Sequence, residues 1–213
     1  METTHYSAMD KLGNTVGITT TINLSYGNKK IVDGAGFLLN NEMDDFASSP
    51  GSQNAFGLIG YEANSIKPAK RPLSSMSPTI VLTPEGEPLM TIGAAGGSRI
   101  ITTVLQVIIS VVDHNLSIQD AINLGRTHSQ WIPDVIRYEG KNKMNTEFNQ
   151  FLPSLSEKQI SELEELDHKF EDGNVESGMY YLARAHGIMF KKGQFFTGVD
   201  WRGNGEISDG ITY

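Results

Sequence analysis

The sequence predicts an α+β fold built in layers, with strands near both ends of the chain and helices between them. Three observations support this prediction. The segment from Asn14 to Leu24 is rich in β-branched residues, which favour strands. Residues 98–170 contain three segments with the apolar spacing or the capping residues of helices. Residues 179–203 alternate as a hairpin does, with a turn over residues 191–194.

Composition excludes several classes of function. The chain has 213 residues, enough for one domain or for one subunit of a larger enzyme. A formal net charge of −8 argues against a nucleic-acid partner, which requires a basic face. With no cysteine, the chain can form no disulfide, no thiolate metal site and no cysteine nucleophile. The five histidines show no metal-ligand spacing, so we expect neither a metal nor a cofactor.

The first half of the chain contains further strand signals. The strand over residues 14–24 is followed by a turn of glycine and asparagine. Residues 70–98 are typical of two strands joined by a Pro-Glu-Gly-Glu turn. A glycine-rich loop, Gly-Ala-Ala-Gly-Gly-Ser, ends this segment at Ser98.

Three helices are predicted next. The first begins at or near Ser98 and is expected to be buried, because its sequence is apolar on nearly every side. Its β-branched content leaves a strand as the alternative. A short second helix follows its cap Ser117 and ends at Gly125. The third opens with a capping box of Ser156 and Gln159.

Two segments lack a clear period. Residues 46–70 are rich in Pro, Gly, Ser and Asn, and a loop of that length in a compact domain is usually functional, often a lid. Residues 141–154 are predicted to form a surface connection. With no internal repeat and no linker, the chain is expected to be a single domain over residues 1–213.

Four polar or glycine-rich motifs have simple structural explanations when each is taken alone. A threonine near a chain terminus is usually a strand residue, and the motif NNEMDDF is typical of a solvated loop. The motif SSMS is typical of a turn, and GAAGGS of a strand-to-helix connection. The last is not a phosphate-binding loop, because it lacks both the Lys-Ser/Thr ending and the GxGxxG spacing.

Taken together and in this order, the motifs resemble a known family. The segments TTHYSAMDKLGNTVGITTTIN, GAGFLLNNEMDDF, KRPLSSMSPTIV and GAAGGSRIITTVLQ resemble the small subunit of γ-glutamyltranspeptidase, an N-terminal-nucleophile hydrolase. The resemblance extends from Thr3 to about Tyr138, weakens over residues 141–179 and returns faintly in GVDWRGNG. It implies a four-layer αββα sandwich, with two stacked antiparallel sheets, helices outside, and a strand that begins at Thr3.

The resemblance also implies an enzyme and its catalytic residues. The implied reaction is γ-glutamyl transfer from glutathione and other donors to water, amino acids or peptides through an acyl-enzyme on Thr3. The α-amine of Thr3 would be the base, since its reference pKa of about 8 leaves it partly neutral. Thr21 would orient the nucleophile, and the backbone N–H groups of Gly96 and Gly97 would stabilise the oxyanion.

The same resemblance assigns the residues that bind the donor. Asn23, Glu42 and Asp45 would hold its α-ammonium, and Ser74 and Ser75 would donate hydrogen bonds to its α-carboxylate. The chemistry is consistent, because a buried ammonium requires anionic partners to offset its desolvation.

In this family a precursor cleaves itself before the nucleophilic threonine. Met1 and Glu2 are therefore expected to be precursor or non-native residues, and activity is expected only when Thr3 is the N-terminus. The implied partner is a large subunit, absent from this chain, that contributes an arginine to the donor's α-carboxylate. The resemblance implies an extracytoplasmic location, although this chain carries no targeting signal.

Several alternatives remain open from the sequence. The chain could be a non-catalytic small-subunit fragment, an acylase that removes glutaryl side chains, or a poly-γ-glutamate hydrolase. The retention of Glu42 together with Asp45 argues against the acylase, whose substrate has no α-ammonium. Phe56, where many bacterial members have tyrosine, predicts a more open acceptor side. Glu42, Phe56 and the motif GAAGG favour animal-type members.

Overall fold

The structure is a computed structural model, and it describes residues 2–55, 57–140, 154–172 and 182–202. This part of the chain contains nine strands and three α-helices. In chain order they are β1 (Thr3–Met9), β2 (Thr15–Thr21), β3 (Thr79–Leu82), β4 (Pro88–Ala95), α1 (Arg99–Val112), α2 (Ile118–Asn123), β5 (Thr127–His128), β6 (Ile136–Tyr138), α3 (Glu157–Glu164), β7 (Phe170–Asp172), β8 (Arg184–Lys191) and β9 (Gln194–Val199).

Strands β1 and β2 form an antiparallel hairpin whose register pairs Thr3 with Thr21. Side chains alternate along both strands between an exposed face and a more buried face, as a half-buried sheet requires. The buried face lies against β4 and β8. The ring of His5 fills this contact, and a Cβ placed on Gly93 would lie 2.2 Å from its Nδ1 atom. Glycine at this position therefore permits the close approach of the two sheets.

The central sheet is antiparallel, with the strand order β3-β4-β8-β9. Both of its predicted hairpins are confirmed. The Pro-Glu-Gly-Glu turn joins β3 to β4, and the β8–β9 hairpin closes with Lys191 opposite Gln194. These turns were predictable because glycine and proline determine the backbone locally.

Helices α1 and α2 cover the other face of this sheet and enclose the main hydrophobic core. The core is formed by aliphatic and methionine side chains of β4, α1, α2 and β8; its largest members include Met90, Ile92, Ile100, Val107, Ile118 and Ile122. A hairpin, a four-stranded sheet and a helical layer thus lie in order, and the predicted α+β layering is confirmed.

One prediction about α1 is correct and another is wrong. The segment is a helix beginning at Arg99, with Ser98 at the N-cap position, so the strand alternative is excluded. It is not buried on nearly every side, because only one face meets the sheet. The face that carries Ile101, Leu105 and Ile109 is exposed, with 51%, 53% and 38% of these residues accessible. Apolar composition alone did not distinguish a packed helix face from an exposed one.

Among the remaining elements, the helices have sequence signals within a few neighbouring residues and were predicted, whereas a small sheet has none and was missed. Helix α2 is capped by Ser117, and α3 opens with the predicted capping box of Ser156 and Gln159. The three-stranded sheet β5-β6-β7 was not predicted, because its strands are only two or three residues long and β7 pairs with β6 from a distant part of the chain. The predicted connection at 141–154 lies almost wholly outside the described residues.

The loop at 46–70 contains no strand and no α-helix among its described residues, only a short 3₁₀ helix over Glu62–Asn64. It is nevertheless tied together, because the Lys70 ammonium donates to the carbonyls of Ala63 and Ser65 at 2.6 and 2.9 Å. Its function as a lid stays a prediction. In the described part of the chain, no helix is both long and apolar enough to cross a membrane.

Candidate active site

A cleft of about 460 Å³, including solvent at its mouth, opens where the β1–β2 hairpin meets the N-terminus of α1. Every candidate site residue named from the sequence lines this cleft except Gly96. Five further residues complete its wall: Leu58, Leu73, Met76, Ser98 and Ile100. Residues from six separate segments are therefore brought to one place by the fold.

Thr3 and Thr21 face each other across the hairpin. The Thr3 hydroxyl donates to Thr21 Oγ1 at 2.9 Å, and the backbone N–H of Asn23 donates to the same oxygen at 2.8 Å. The Thr21 hydroxyl in turn donates to the carbonyl of Glu2 at 3.1 Å. Because Thr3 donates its proton to Thr21, this hydrogen bond uses neither lone pair of the Thr3 hydroxyl oxygen, and the oxygen can attack an electrophile.

Asn23 links the hairpin to the acidic segment. It is 3% exposed and has a φ of 71°, in the left-handed region that asparagine tolerates. Its side-chain amide donates to the carbonyl of Asn41 at 3.1 Å, and the Asn41 side chain accepts from Leu24 N at 3.0 Å. These bonds hold the start of the 3₁₀ helix Glu42–Asp45 beside β2.

Glu42 and Asp45 are three residues apart in this helix and both reach the cleft. Burial, followed by the hydrogen bond and the charge of Asp45, raises the pKa of Glu42 to about 7. Burial also raises the pKa of Asp45, with a further contribution from the charge of Asp44. The Oε1 atom of Glu42 is buried and has no hydrogen-bond partner in the structure. Both raised pKa values reflect two carboxyl groups held close together in a partly buried site, where a cation would favour their charged forms.

Ser74 and Ser75 lie in the extended segment before β3, on another wall of the cleft. The Ser74 hydroxyl accepts from Met76 N at 3.2 Å, so its own proton remains available for a ligand. Ser75 is partly buried and Ser74 is exposed.

Gly96 and Gly97 connect β4 to α1, with φ values of 155° and 62°. Gly97 lines the cleft, and its carbonyl accepts from Ile100 N at 3.1 Å in the first turn of α1. Gly96 lies behind it, where an added Cβ would be 2.5 Å from the Cβ of Ala183. Glycine is thus required at both positions, at Gly97 by its positive φ and at Gly96 by the close contact with the neighbouring segment.

Sequence reasoning missed a buried ionic network behind this loop. Arg126 pairs with Asp200 at 2.7 Å, and Arg202 pairs with Glu139 at 2.6 Å and with Asp200 at 3.1 Å. All four side chains are at most 2% exposed. Burial alone would raise the pKa of Asp200, but the two guanidinium groups lower it. The faint resemblance at GVDWRGNG indicated residues 200–202, but no local signal indicates their partners.

The network also holds the segment that contacts the glycine loop. Arg126 Nη1 donates to the carbonyls of Leu182 and Ala183 at 3.2 and 2.8 Å. Ala183 is 4% exposed and has a φ of 72°, an uncommon conformation for a residue with a Cβ. These hydrogen bonds stabilise the conformation that places Ala183 against Gly96.

The chain is similar to known proteins both in sequence and in structure. The sequence profile of the Gamma-glutamyltranspeptidase family matches residues 1–210. The chain belongs to the γ-glutamyltranspeptidase family. It is 50% identical over 138 residues to the glutathione hydrolase proenzyme of Escherichia coli (strain K12), covering 65% of this chain and 24% of that protein. It is 40% identical over 205 residues to the glutathione hydrolase proenzyme of Pseudomonas aeruginosa, covering 96% of this chain and 34% of that protein.

Solved structures of the family superpose on most of the chain. An acivicin-inhibited γ-glutamyltranspeptidase covers 94% of this chain with a TM-score of 0.80 and 42% identity, and 99% of the compared chain is matched. The γ-glutamyltranspeptidase of Pseudomonas nitroreducens complexed with L-DON covers 98% of this chain with a TM-score of 0.81 and 38% identity, and all of that chain (100%) is matched. A cephalosporin acylase from Bacillus halodurans, at 18% identity and a TM-score of 0.69, shares the fold alone.

The predictions about Phe56 and about animal-type character are not tested by these similarities. Phe56 lies outside the described residues. The expected animal-type character stays a prediction. Among the described residues, no group of three or more His, Asp or Glu is placed to hold a metal ion.

Proposed function

We propose that this chain is the catalytic small-subunit portion of a γ-glutamyltransferase that acts on glutathione and related γ-glutamyl donors. One observation carries the proposal: the Thr3–Thr21 hydroxyl pair and the Glu42–Asp45 carboxylate pair face the same cleft. A nucleophile at one end and a cation site at the other fit an amide substrate whose ammonium is several bonds from the bond that is cut. The family membership supports the same conclusion.

The donor binds by its amino-acid head. Its α-ammonium pairs with Glu42 and Asp45 and donates to the buried Oε1 atom of Glu42, which has no hydrogen-bond partner in the described part of the chain. Asn23 completes this end of the site. Ser74 and Ser75 donate to the α-carboxylate. This arrangement selects γ-glutamyl over glutaryl groups, because a glutaryl group would leave both carboxylates without a counter-charge.

Thr3 carries out the acyl transfer. Once Thr3 is the N-terminus, its α-amine accepts the hydroxyl proton while Oγ1 attacks the γ-carbonyl of the donor. The N–H groups of Gly96 and Gly97 stabilise the oxyanion, and loss of one such donor typically costs roughly 3 kcal/mol. The cleft position of Gly97 supports its part, whereas the part of Gly96 rests on the resemblance. The leaving group takes the proton from the Thr3 α-ammonium and departs as a free amine. Water or an acceptor amine then attacks the ester on Thr3 and releases the γ-glutamyl group.

The free amine arises by cleavage of the Glu2–Thr3 bond. The Thr21 hydroxyl donates to the Glu2 carbonyl, which makes the carbon of that carbonyl more electrophilic, and Thr3 Oγ1 is held beside it. Attack by Oγ1 on this carbonyl transfers the acyl group from nitrogen to oxygen, and hydrolysis of the resulting ester leaves Thr3 with a free α-amine. Met1 and Glu2 are released with the upstream product.

The proposed partner is a large subunit of the same precursor. The chain spans 24% of the E. coli relative and 34% of the P. aeruginosa relative, and both are named proenzymes. The exposed apolar residues of the hairpin, Tyr6, Val16 and Ile18, support a further layer over its outer face. That layer would complete a four-layer αββα sandwich, with residues 1–213 as one domain of the complex. Residues 46–70 would close over the cleft, and the complex would act outside the cytoplasm.

The deciding experiment compares two neighbouring threonines. The complete precursor is expressed, its processed chains are identified by intact mass and N-terminal sequencing, and cleavage of a γ-glutamyl anilide is measured. We expect the small chain to start at Thr3 and Thr3→Ala to abolish both processing and activity. Thr4→Ala is the matched control, because Thr4 lies on the face of β1 opposite to Thr3, is absent from the cleft lining and should leave both unchanged. Activity that survives in Thr3→Ala would rule out the proposed nucleophile.

The same assay separates the alternatives. A glutaryl amide cleaved in preference to the γ-glutamyl anilide would indicate an acylase, and selective cleavage of poly-γ-glutamate would indicate a polymer hydrolase. A folded small chain that retains Met1 and has no activity in any assay would indicate a non-catalytic fragment.

A further inference from the structure

We propose that His128 and Gln130 are positioning residues that hold Ser98, and through it the glycine loop at 96–98, in the geometry required for oxyanion stabilisation. This inference rests on the proposed function for its catalytic consequence. The tether itself is a property of the fold and is testable without any assay of activity.

Ser98 occupies an unusual position at the start of α1. It lines the cleft and directly follows Gly97. A serine at this position normally accepts a hydrogen bond from an amide of the first helical turn. Ser98 instead has a helical backbone, with φ of −59° and ψ of −23°, and makes no capping hydrogen bond. Its hydroxyl donates to Gln130 Oε1 at 2.6 Å. The side chain thus connects the loop to a distant segment rather than capping its own helix.

The orientation of the Gln130 amide is determined by three partners. Its Nε2 donates to the carbonyl of Ile132 at 3.1 Å, so the oxygen must face Ser98 and His128. His128 Nε2 lies 2.9 Å from the same oxygen. Because an amide oxygen carries no hydrogen, His128 must donate from Nε2. One oxygen therefore receives two hydrogen bonds, which fixes its position for Ser98.

His128 is in turn held by the helix that Ser98 begins. It is 3% exposed, and its Nδ1 lies 2.9 Å from Thr102 Oγ1. With the proton on Nε2, Nδ1 accepts from the Thr102 hydroxyl, which can alternatively donate to the Arg99 carbonyl at 3.2 Å. Burial lowers the pKa of His128, which favours this neutral form at neutral pH. Hydrogen bonds thus connect Ser98 to Gln130, Gln130 to His128, and His128 to Thr102. This series of bonds starts and ends in the first turns of α1.

The glycine loop is therefore constrained from two sides. Ala183 packs against Gly96, and Gln130 holds Ser98. Gly97 lies between them with a φ of 62°. Glycine loses more conformational freedom on ordering than any other residue, so a loop with two glycines needs external restraint to present an N–H in one direction. Such preorganisation is what makes an oxyanion-hole donor effective.

The tether makes a specific kinetic prediction for the processed complex. Ser98→Ala and Gln130→Ala should each lower kcat about 10-fold to 100-fold, because they loosen a transition-state donor, and should change the donor KM less than about threefold. Ser98→Thr keeps the hydroxyl and should retain most activity. The double variant should be no worse than either single variant, since both remove the same connection. Ser129→Ala is the matched control, because Ser129 is exposed and adjacent to Gln130.

A second measurement needs no activity. Hydrogen exchange of the amides at residues 96–100 in the same complex should become at least about 10-fold faster in Gln130→Ala than in the wild type, and should not change in Ser129→Ala. Nitrogen chemical shifts of His128 should report a neutral ring with its proton on Nε2.

The outcomes separate the tether from the proposed function. If the wild-type complex does not cleave a γ-glutamyl donor, the proposed function fails, and the exchange data still decide the tether. Unchanged exchange at residues 96–100 in Gln130→Ala would overturn it. If the wild type is active, an unchanged kcat in Ser98→Ala would overturn the catalytic consequence of the tether. Fully additive losses of kcat in the double variant would overturn it as well.

Discussion

At the level of single residues, the Glu42–Asp45 pair determines how the cleft responds to pH. Both groups have raised pKa values in the folded chain, Glu42 to about 7, and burial is the main cause in each case. A carboxyl group whose pKa is raised on folding favours the folded state at low pH. Donor binding is instead favoured at higher pH, because an ammonium requires both carboxylates to be charged.

The first prediction concerns this pH dependence. For the wild-type complex, kcat/KM for a γ-glutamyl donor should fall as the pH decreases through about 7, while the Tm of the unliganded protein rises. Glu42→Gln should bind the donor at least about 10-fold more weakly and should flatten the pH dependence of Tm, since glutamine carries no titrating group. The pH dependence of its kcat/KM should lose the contribution of Glu42 and keep that of the Thr3 α-amine. Steady-state kinetics and thermal melts between pH 5.5 and 8.5 provide the test. A Tm that increases with pH in the wild type, but not in Glu42→Gln, would contradict the assignment.

A second prediction concerns the hydroxyl pair. Thr21→Val is nearly isosteric but removes the partner of the Thr3 hydroxyl, so it should lower kcat about 100-fold. It also removes the acceptor of the Asn23 N–H and should therefore lower Tm. Thr21→Ser should keep most of the activity. Thr20→Val is the control, because Thr20 lies on the face of the same strand that points away from the cleft. Equal losses in Thr20→Val and Thr21→Val would indicate a general effect on the strand.

At the level of elements, helix α3 is specified by a local capping signal and contributes no described residue to the cleft. Its capping box forms as predicted, with Gln159 N donating to Ser156 Oγ at 3.2 Å and Ser156 N donating to Gln159 Oε1 at 2.9 Å. None of the residues that line the cleft belongs to this helix among those described. Its stability and the catalytic activity should therefore be separable.

The third prediction tests that separation. Ser156→Ala should lower the free energy of unfolding by about 1 kcal/mol, the usual cost of losing an N-cap, and should leave kcat/KM unchanged. Urea denaturation and steady-state kinetics on the same preparation measure both quantities. Ser161→Ala, within α3, is the control and should have almost no effect on stability. A loss of activity in Ser156→Ala at unchanged stability would contradict the expected independence.

At the level of the whole molecule, the buried ionic network connects distant parts of the chain. Arg126 follows α2, Glu139 follows β6, and Asp200 and Arg202 follow β9. The guanidinium groups also donate to the carbonyls of Ile122 and Leu124, near the end of α2. Removing one member leaves the buried network with one uncompensated charge, which costs more than the ion pair itself contributes.

The fourth prediction measures that cost. Arg126→Met should lower the free energy of unfolding by about 3–5 kcal/mol, because Asp200 loses its 2.7 Å partner in a fully buried site. Arg137→Met is the matched control, since the Arg137–Glu171 pair is partly exposed and should contribute about 0–1 kcal/mol. Thermal and chemical denaturation of both variants gives the comparison. A loss below 1 kcal/mol in Arg126→Met would show that the network is not a stabilising element.

Much of the local structure could be predicted from the sequence. The Pro-Glu-Gly-Glu turn, the Ser117 cap and the capping box at Ser156 each depend on residues within a few positions of one another. For that reason short-range chemistry was enough. The motifs around Thr3, Glu42, Ser74 and Gly97 also identified the residues that the fold brings together in one cleft.

Tertiary structure decided what depends on contacts between distant segments. It determined that one apolar face of α1 is exposed, that Gly96 lies behind the cleft against Ala183, and that Gln130 holds Ser98. It also paired Arg126 with Asp200, 74 positions along the chain. By itself, the sequence determined the family, the layered α+β class and the chemistry available at the cleft, because these depend on residue identity and local spacing. Burial, register and buried charge pairing were decided only by the folded chain, because each arises from packing between segments that no local pattern relates.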